Sequence, residues 1–141
     1  MRKIHFRGKT IESAGMRSVG EWAYGGYFVD DCYGGCPEGK HHIVEWNSSG
    51  LSYFAHTLVK RETVGQYTGL NDKNGRWIYE GDLAEIRNHP FEGSIKIDGI
   101  YEIGYNERME LCCGSLLLHR VLPYITVIGN KHDNPELLQT A

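Results

Sequence analysis

Apolar and polar residues alternate along much of this chain. Residues 94–98 (Ser-Ile-Lys-Ile-Asp) place both isoleucines on one face of an extended backbone, and residues 101–105 and 109–111 repeat the pattern. Such alternation indicates β-strands with one buried face. Similar stretches predict further strands at 4–7, 22–29, 41–46, 51–55, 83–87, 116–119 and 124–128. The pattern predicts a mainly β protein.

Turn-forming residues separate the predicted strands. The pair Asn74-Gly75 suits a tight turn, because both residues tolerate positive φ. Residues 30–40 are expected to form an exposed loop that lengthens a hairpin between the strands at 22–29 and 41–46. Helix is predicted only at 134–138, where Asn134 can cap a turn with Pro135 in the first helical position. We expect that turn to pack its two leucines onto the sheet.

The composition agrees with this pattern. The chain has 141 residues, with 18 Gly, 9 Tyr, 3 Trp and only 4 Pro, which is typical of many short strands joined by turns. A chain of this length usually forms one domain. We therefore predict a single domain over residues 1–141.

The charge balance argues against an obligate nucleic-acid coat protein. The chain carries 15 Lys and Arg against 18 Asp and Glu, a formal net charge of −3, whereas such proteins show a basic excess. Basic residues crowd together only at Arg2, Lys3, Arg7 and Lys9. We interpret that group as a solvated strand edge.

Two features favour a cytoplasmic location. Residues 1–5 lead into a charged strand without the apolar region of a signal peptide. The longest aliphatic run, residues 116–118, is far too short to span a membrane. The four cysteines are then expected to remain reduced.

The cysteine spacing does not favour a metal site. Cys32 and Cys36, with His41 and His42 nearby, could suggest zinc, but the second pair, Cys112-Cys113, is adjacent in sequence. Neighbouring side chains of a strand point to opposite faces and do not easily reach one ion. We expect no metal, no cofactor and one buried cysteine at 112 or 113.

Glu80 and Asp82 are the one carboxylate pair worth weighing as catalytic. An extended chain would place residues two apart on the same face, and carboxyls roughly 5 to 9.5 Å apart serve in glycoside hydrolysis. Glu-Gly-Asp before an apolar strand reads better as a tight turn in which Asp82 binds local backbone amides. Ser115 lacks the glycine spacing of a nucleophile elbow. We therefore expect no enzyme activity.

The densest motif extends over residues 64–86 as a strand end, a polar turn, an aromatic strand and a second turn that leads into another strand. It resembles the Q-Y-T-G-L-x-D-K-N-G-x-x-I-Y-E-G-D segment of the YopX family of phage and prophage proteins. Phe6-Arg7-Gly8 and the residues 20–25 resemble the opening elements of that family, and residues 127–138 resemble its closing V-I-G-N-x-x-x-N-P-E-L-L. The matching residues that we single out, all expected to be structural, are Gln66, Tyr67, Thr68, Gly69, Leu70, Asp72, Asn74, Gly75, Tyr79, Glu80, Gly81, Asp82, Gly129, Asn130, Asn134 and Pro135.

The resemblance implies a β-rich fold with a small barrel-like part, a phage or prophage origin and a homo-oligomer. It brings no known activity and no catalytic residues. The chain departs from the family pattern in loops at about 13–19, 30–40 and 111–119. Any target of those loops would be particular to this protein.

The function favoured by the sequence is a non-enzymatic binding or assembly module with an unknown phage or host protein as partner and unknown binding residues. The alternative is a small-barrel nucleic-acid-binding protein, since residues 81–86 and 101–105 resemble the strand–loop–strand pattern of such barrels. An enzyme using Glu80 and Asp82 is the remote alternative.

The motif itself is expected to be architectural. It alternates large apolar residues with turn formers, whereas a ligand-reading loop needs exposed polar groups. We predict that its glycines 69, 75 and 81 lie in turns. The side chains predicted to be buried are Tyr67, Leu70, Trp77, Ile78 and Tyr79.

Overall fold

The computed structural model describes residues 3–11, 18–30, 39–46, 54–90 and 97–140. Its strands are β1 (Phe6–Lys9), β2 (Trp22–Asp30), β3 (Lys40–Trp46), β4 (Phe54–Leu58), β5 (Gly65–Asn71), β6 (Trp77–Tyr79), β7 (Asp82–Ile86), β8 (Gly99–Tyr105), β9 (Leu111–Cys113), β10 (Leu116–Leu117) and β11 (Ile125–Asn130). One short α-helix, α1, covers Leu118–Val121, and 3₁₀ helices cover Arg61–Thr63, Leu122–Tyr124 and Pro135–Thr140.

The chain divides into two compact units, Met1–Tyr67 and Thr68–Ala141, and β5 runs across the boundary. In the first unit the strand order is β4-β3-β2-β1-β5. Ala23, Ile43 and Val59 form its buried core. The division does not test the predicted single domain, which stays a prediction.

The predicted hairpin between the second and third strands is confirmed. Strands β2 and β3 pair antiparallel, with Tyr27 opposite Ile43. Most of the predicted loop, residues 31–38, lies outside the described residues.

The interpretation of the first basic residues as a strand edge is wrong for Arg7 and Lys9. Strand β1 pairs with β2 on one side, where Arg7 lies opposite Tyr24. On the other side Arg7 lies opposite Gly65 of β5. Both flanks of β1 are therefore hydrogen-bonded, and these two basic residues belong to an interior strand.

The second unit contains a sheet with the order β10-β9-β8-β7-β11, and β6 lies beside β5. Its core consists of buried apolar residues: Ile78, Ala84, Ile86, Ile103, Cys113, Leu118, Val121, Ile125 and Val127. The prediction of a mainly β protein is confirmed, with antiparallel sheets throughout. Neither sheet closes into a barrel among the described strands, so the barrel-like part is not confirmed.

Several predicted strand boundaries are wrong. The strand predicted at 116–119 ends at Leu117, because Leu118 and Val121 are spaced three apart in a helical turn and both enter the core of the second unit. Ile97 and Asp98 are not in a strand. Asp98 instead accepts hydrogen bonds from the backbone amides of Asn88 and His89, at 3.0 and 3.2 Å.

The predicted C-terminal turn is present as the 3₁₀ helix Pro135–Thr140. Leu137 is half-buried, but Leu138 is 37 % exposed, so only one leucine packs as expected. No helix within the described ranges is long and apolar enough to cross a membrane.

Candidate functional site

The first turn of the family motif is built around the buried carboxylate of Asp72. Its Oδ1 accepts hydrogen bonds from the amides of Asn74 and Arg76, at 2.8 and 2.9 Å. Its Oδ2 accepts one from the amide of Val127, in β11, at 2.9 Å. Burial works to raise the pKa of Asp72, but the bonds from Val127, Arg76 and Asn74 outweigh it and lower that pKa below the usual value. Asp72 thus joins a turn to a strand distant in sequence.

The second turn of the motif is built around Asp82. This residue is 1 % exposed, and its Oδ2 accepts a hydrogen bond from the amide of Tyr79 at 2.8 Å. The turn interpretation of Glu-Gly-Asp is therefore confirmed. Glu80 and Gly81 lie in the turn itself and Asp82 begins β7. Glu80 and Asp82 do not share one strand face, as an extended chain would require.

The aromatic and apolar side chains of the motif are largely inside. Tyr67, Ile78 and Tyr79 are 6 %, 0 % and 5 % exposed, which confirms their predicted burial. Leu70 and Trp77 are only half-buried.

Two of the three motif glycines lie in turns. Gly75 and Gly81 adopt φ of +83° and +86° there, a region that glycine enters without steric cost. The prediction is wrong for Gly69, which lies within β5 with φ of 87°. Thr68, the residue before Gly69, donates a hydrogen bond from its hydroxyl to the carbonyl of Ile78 at 2.8 Å.

The closing motif forms a compact turn after β11. The side-chain oxygen of Asn130 accepts from the amides of His132 and Asp133, at 3.0 and 2.9 Å. The side-chain oxygen of Asn134 accepts from the amide of Asn130 at 3.2 Å. Pro135 follows as the first residue of the 3₁₀ helix. The side chains of Asn130 and Asn134 therefore hold the backbone of the turn in place.

Both Cys112 and Cys113 are free thiols and both are buried, so the expectation of one buried cysteine is wrong. Strand β9 lies between β8 and β10, and its two faces are both covered at these positions. Burial, with a smaller contribution from Cys112, raises the pKa of the Cys113 thiol to about 12. Cys32 and Cys36 lie outside the described residues.

A cluster of histidine and aromatic rings lies on β2, β3 and β4, and the sequence did not predict it. The ring of His42 stacks on Phe28 at 4.6 Å and lies 6.0 Å from His56. Burial lowers the pKa of His42, as do His56, Lys40 and His41, while Asp30 opposes them. Within the described part of the chain no three His, Cys, Asp or Glu side chains come together as a metal site. The expectation of no metal stays a prediction.

The cationic groups of the two basic residues in β1 lie over an aromatic ring. The guanidinium of Arg7 lies 4.6 Å and the ammonium of Lys9 5.5 Å from the centre of the Trp22 ring. Arg7 is moreover only 5 % exposed. These contacts are cation–π interactions within the first unit.

A cleft of about 390 Å³ in the second unit is the best candidate for a binding site. We call it the His89–Arg120 cleft. Its apolar lining comes from Ile97, Leu116, Leu117 and Val121, and its polar lining from His89, Ser115 and Arg120.

The sequence did not predict this cleft. The signal that could have found it is the spacing of Leu118 and Val121, which predicts a helical turn bearing Arg120 on its outer side. Two smaller clefts lie elsewhere. One of about 300 Å³ in the first unit includes Gly39 and Lys40, and one of about 240 Å³ in the second unit includes Cys112 and Gly114.

Comparison with known proteins bears on the family and the fold. No curated protein matches the chain. The crystal structure of protein EF1440 from Enterococcus faecalis is similar over 98 % of this chain and 99 % of that chain, with a TM-score of 0.55 and 24 % sequence identity. At that identity the likeness concerns the fold alone. The family model described as YopX protein matches residues 36–139, well over half of the chain. The chain belongs to the YopX protein family.

Proposed function

We propose that this protein is a non-enzymatic binding or assembly module. Its origin is a phage or prophage, its place the cytoplasm of the bacterial host, and its working form a homo-oligomer. Its partner is a phage or host component. The buried free thiols Cys112 and Cys113 accord with a reducing compartment.

The observation that carries this proposal is that polar side chains of the family motifs bind the chain's own backbone. Asp72, Asp82, Asn130 and Asn134 all accept hydrogen bonds from nearby backbone amides. Side chains committed in this way are poor candidates for contact with a substrate. The family motif then serves the fold, and binding falls to other residues.

The clefts supply those other residues. Each of the three clefts described above includes members of the segments 30–40 or 111–119, where the chain departs from the family pattern. The expectation of a loop at 111–119 is wrong, because this segment forms β9, β10 and the start of α1. Segments that vary around a rigid scaffold commonly carry binding residues. We therefore assign binding to these clefts, and above all to the His89–Arg120 cleft.

The two rival functions have less support. Nucleic-acid binding needs cations available for phosphates, yet Arg7 and Lys9 pack over Trp22. Catalysis by Glu80 and Asp82 needs a carboxylate open to substrate, and Asp82 is buried in a turn.

The test is affinity capture from host cells that carry the phage or prophage, analysed by mass spectrometry. The bait is compared with Leu117→Asp, which places a charge in the cleft, and with Arg108→Gln, an exposed arginine that does not line it. We expect Leu117→Asp to lose at least tenfold of the captured species while it melts within a few degrees of wild type, and Arg108→Gln to retain capture. Equal capture by all three baits contradicts the assignment. So does loss of capture in a stable Glu80→Gln variant.

A further inference from the structure

We propose that the His89–Arg120 cleft binds a small carboxylic acid with an apolar body. This inference rests on the proposed function and names the ligand class of its principal cleft. The ligand's apolar part lies against the leucines and its carboxylate meets Arg120.

The apolar wall of the cleft is held in place by the core. Val121 is 2 % exposed, and Ile97 and Leu116 pack against the buried cluster of the second unit. Leu117, the last residue of β10, completes the wall directly before α1. A preformed wall of this kind favours an apolar ligand, because little side-chain freedom is lost on binding.

Arg120 gives the cleft a cation. It lies on α1, its side chain is exposed, and none of the described residues lining the cleft carries a carboxylate. The acid that the structure places beside the cleft is Asp98, which follows Ile97 in the sequence. Its two carboxylate oxygens accept hydrogen bonds from the backbone amides of Asn88 and His89. Guanidinium binds carboxylate through two parallel hydrogen bonds, which are stronger than neutral ones. The charge of the cleft therefore selects an anion.

His89 contributes an aromatic ring to the wall of the cleft. Its Nδ1 is shielded from solvent and has no hydrogen-bond partner among the described residues. Its ring lies edge-on to Tyr124, with the centres 4.7 Å apart. Asp98 accepts hydrogen bonds from the backbone amides of Asn88 and His89, so it supports the turn that holds the ring. Because this nitrogen is shielded from solvent, His89 contributes to the cleft through its ring and not through a hydrogen bond to the ligand.

The size of the cleft points to a small molecule. Its volume of about 390 Å³ lies at the lower end of the range of roughly 300 to 1,000 Å³ found for small-molecule sites. Ser115 adds an exposed hydroxyl to the lining. A single carboxylate with a ring or branched aliphatic body fits both this volume and this mixture of groups.

The test is isothermal titration calorimetry of the full chain with 4-phenylbutanoate and with its neutral amide, which has the same apolar body. We expect the acid to bind at least tenfold more tightly than the amide. Arg120→Gln should reduce affinity for the acid at least tenfold and leave that for the amide unchanged. The matched control Arg108→Gln should bind both as wild type does.

Equal affinity for acid and amide overturns the proposal, as does an acid affinity that Arg120→Gln leaves intact or the absence of binding by both probes. The proposed function fails separately. If neither probe binds but Leu117→Asp still loses its captured partner, the ligand class is wrong and the binding assignment stands. If the acid binds as expected and capture is indifferent to Leu117→Asp, the ligand class stands and the partner is bound elsewhere.

Discussion

Glycine is required at position 129 because a neighbouring side chain leaves no room for a Cβ. Its own backbone conformation does not require it. A Cβ at this position would lie 2.4 Å from Oδ1 and 2.9 Å from Cγ of Asn134. That same oxygen accepts the hydrogen bond from the amide of Asn130. A larger residue at 129 would therefore displace the side chain that organises the closing turn.

We expect Gly129→Ala to lower the free energy of unfolding by roughly 1 to 3 kcal/mol, the usual cost of overpacking. Gly104→Ala is the matched control, because a Cβ there meets nothing within 4 Å, and it should change stability by no more than about 0.5 kcal/mol. Urea denaturation of the two variants makes the comparison. Equal losses would contradict the steric explanation.

The thiol of Cys113 should not react with alkylating reagents in the folded protein. Its side chain is fully buried, and its pKa is raised to about 12, so almost no thiolate is present near pH 8. We expect iodoacetamide at pH 8 to leave Cys113 unmodified in the native protein and to modify it in urea, as read by peptide mass spectrometry. Modification at equal rates in both conditions would show that the site is open.

Among the elements, the side chain of Asp72 connects its turn to β11. Asp72→Asn replaces an acceptor of the Val127 amide by a donor, and we expect a loss of about 1.5 to 3 kcal/mol at pH 7. Asp98→Asn is the control, since Asp98 also accepts two backbone amides but is exposed. It should cost less, because water can replace its bonds.

The pH dependence of this loss follows from the lowered pKa of Asp72. A carboxylate whose folded pKa is depressed contributes its full stability above the unfolded value of about 3.9, and that contribution is lost as the pH falls through the folded pKa. The difference in stability between wild type and Asp72→Asn should therefore shrink below about pH 3.9. A difference that stays constant down to pH 2 would show that the charge of Asp72 is unimportant.

The strands that were predicted well are those with clear alternation and turn chemistry at both ends. Residues 101–105 fall within β8, and 22–29 fall within β2. The prediction failed where a side chain from elsewhere sets the backbone. Asp98 binds the turn at residues 88–89, and Leu118 enters the core beside Val121. The contacts of Asp98 depend on tertiary packing and have no local pattern, whereas the spacing of Leu118 and Val121 is a local pattern that indicates the helical turn.

At the scale of the whole molecule, the family motifs predicted the main structural turns. Asp82 in its turn and the buried Tyr79 follow from residue types and spacing alone. The spacing of Leu118 and Val121 indicates the helical turn that carries Arg120. The position of His89 and Ile97 beside that turn could not be predicted, because they lie more than 20 positions before Arg120 in the chain. The position of β1 between two partners was missed for the same reason.

The central claim is that the family motif holds the fold and leaves binding to other residues. The free energy of unfolding of Tyr79→Ala, measured by urea denaturation, tests it most directly. Tyr79 is 5 % exposed, and truncating a buried aromatic side chain of this size costs roughly 3 to 5 kcal/mol. We expect a loss of that order. A variant that unfolds at the same urea concentration as wild type, yet no longer captures its partner, would show that the motif is the binding site.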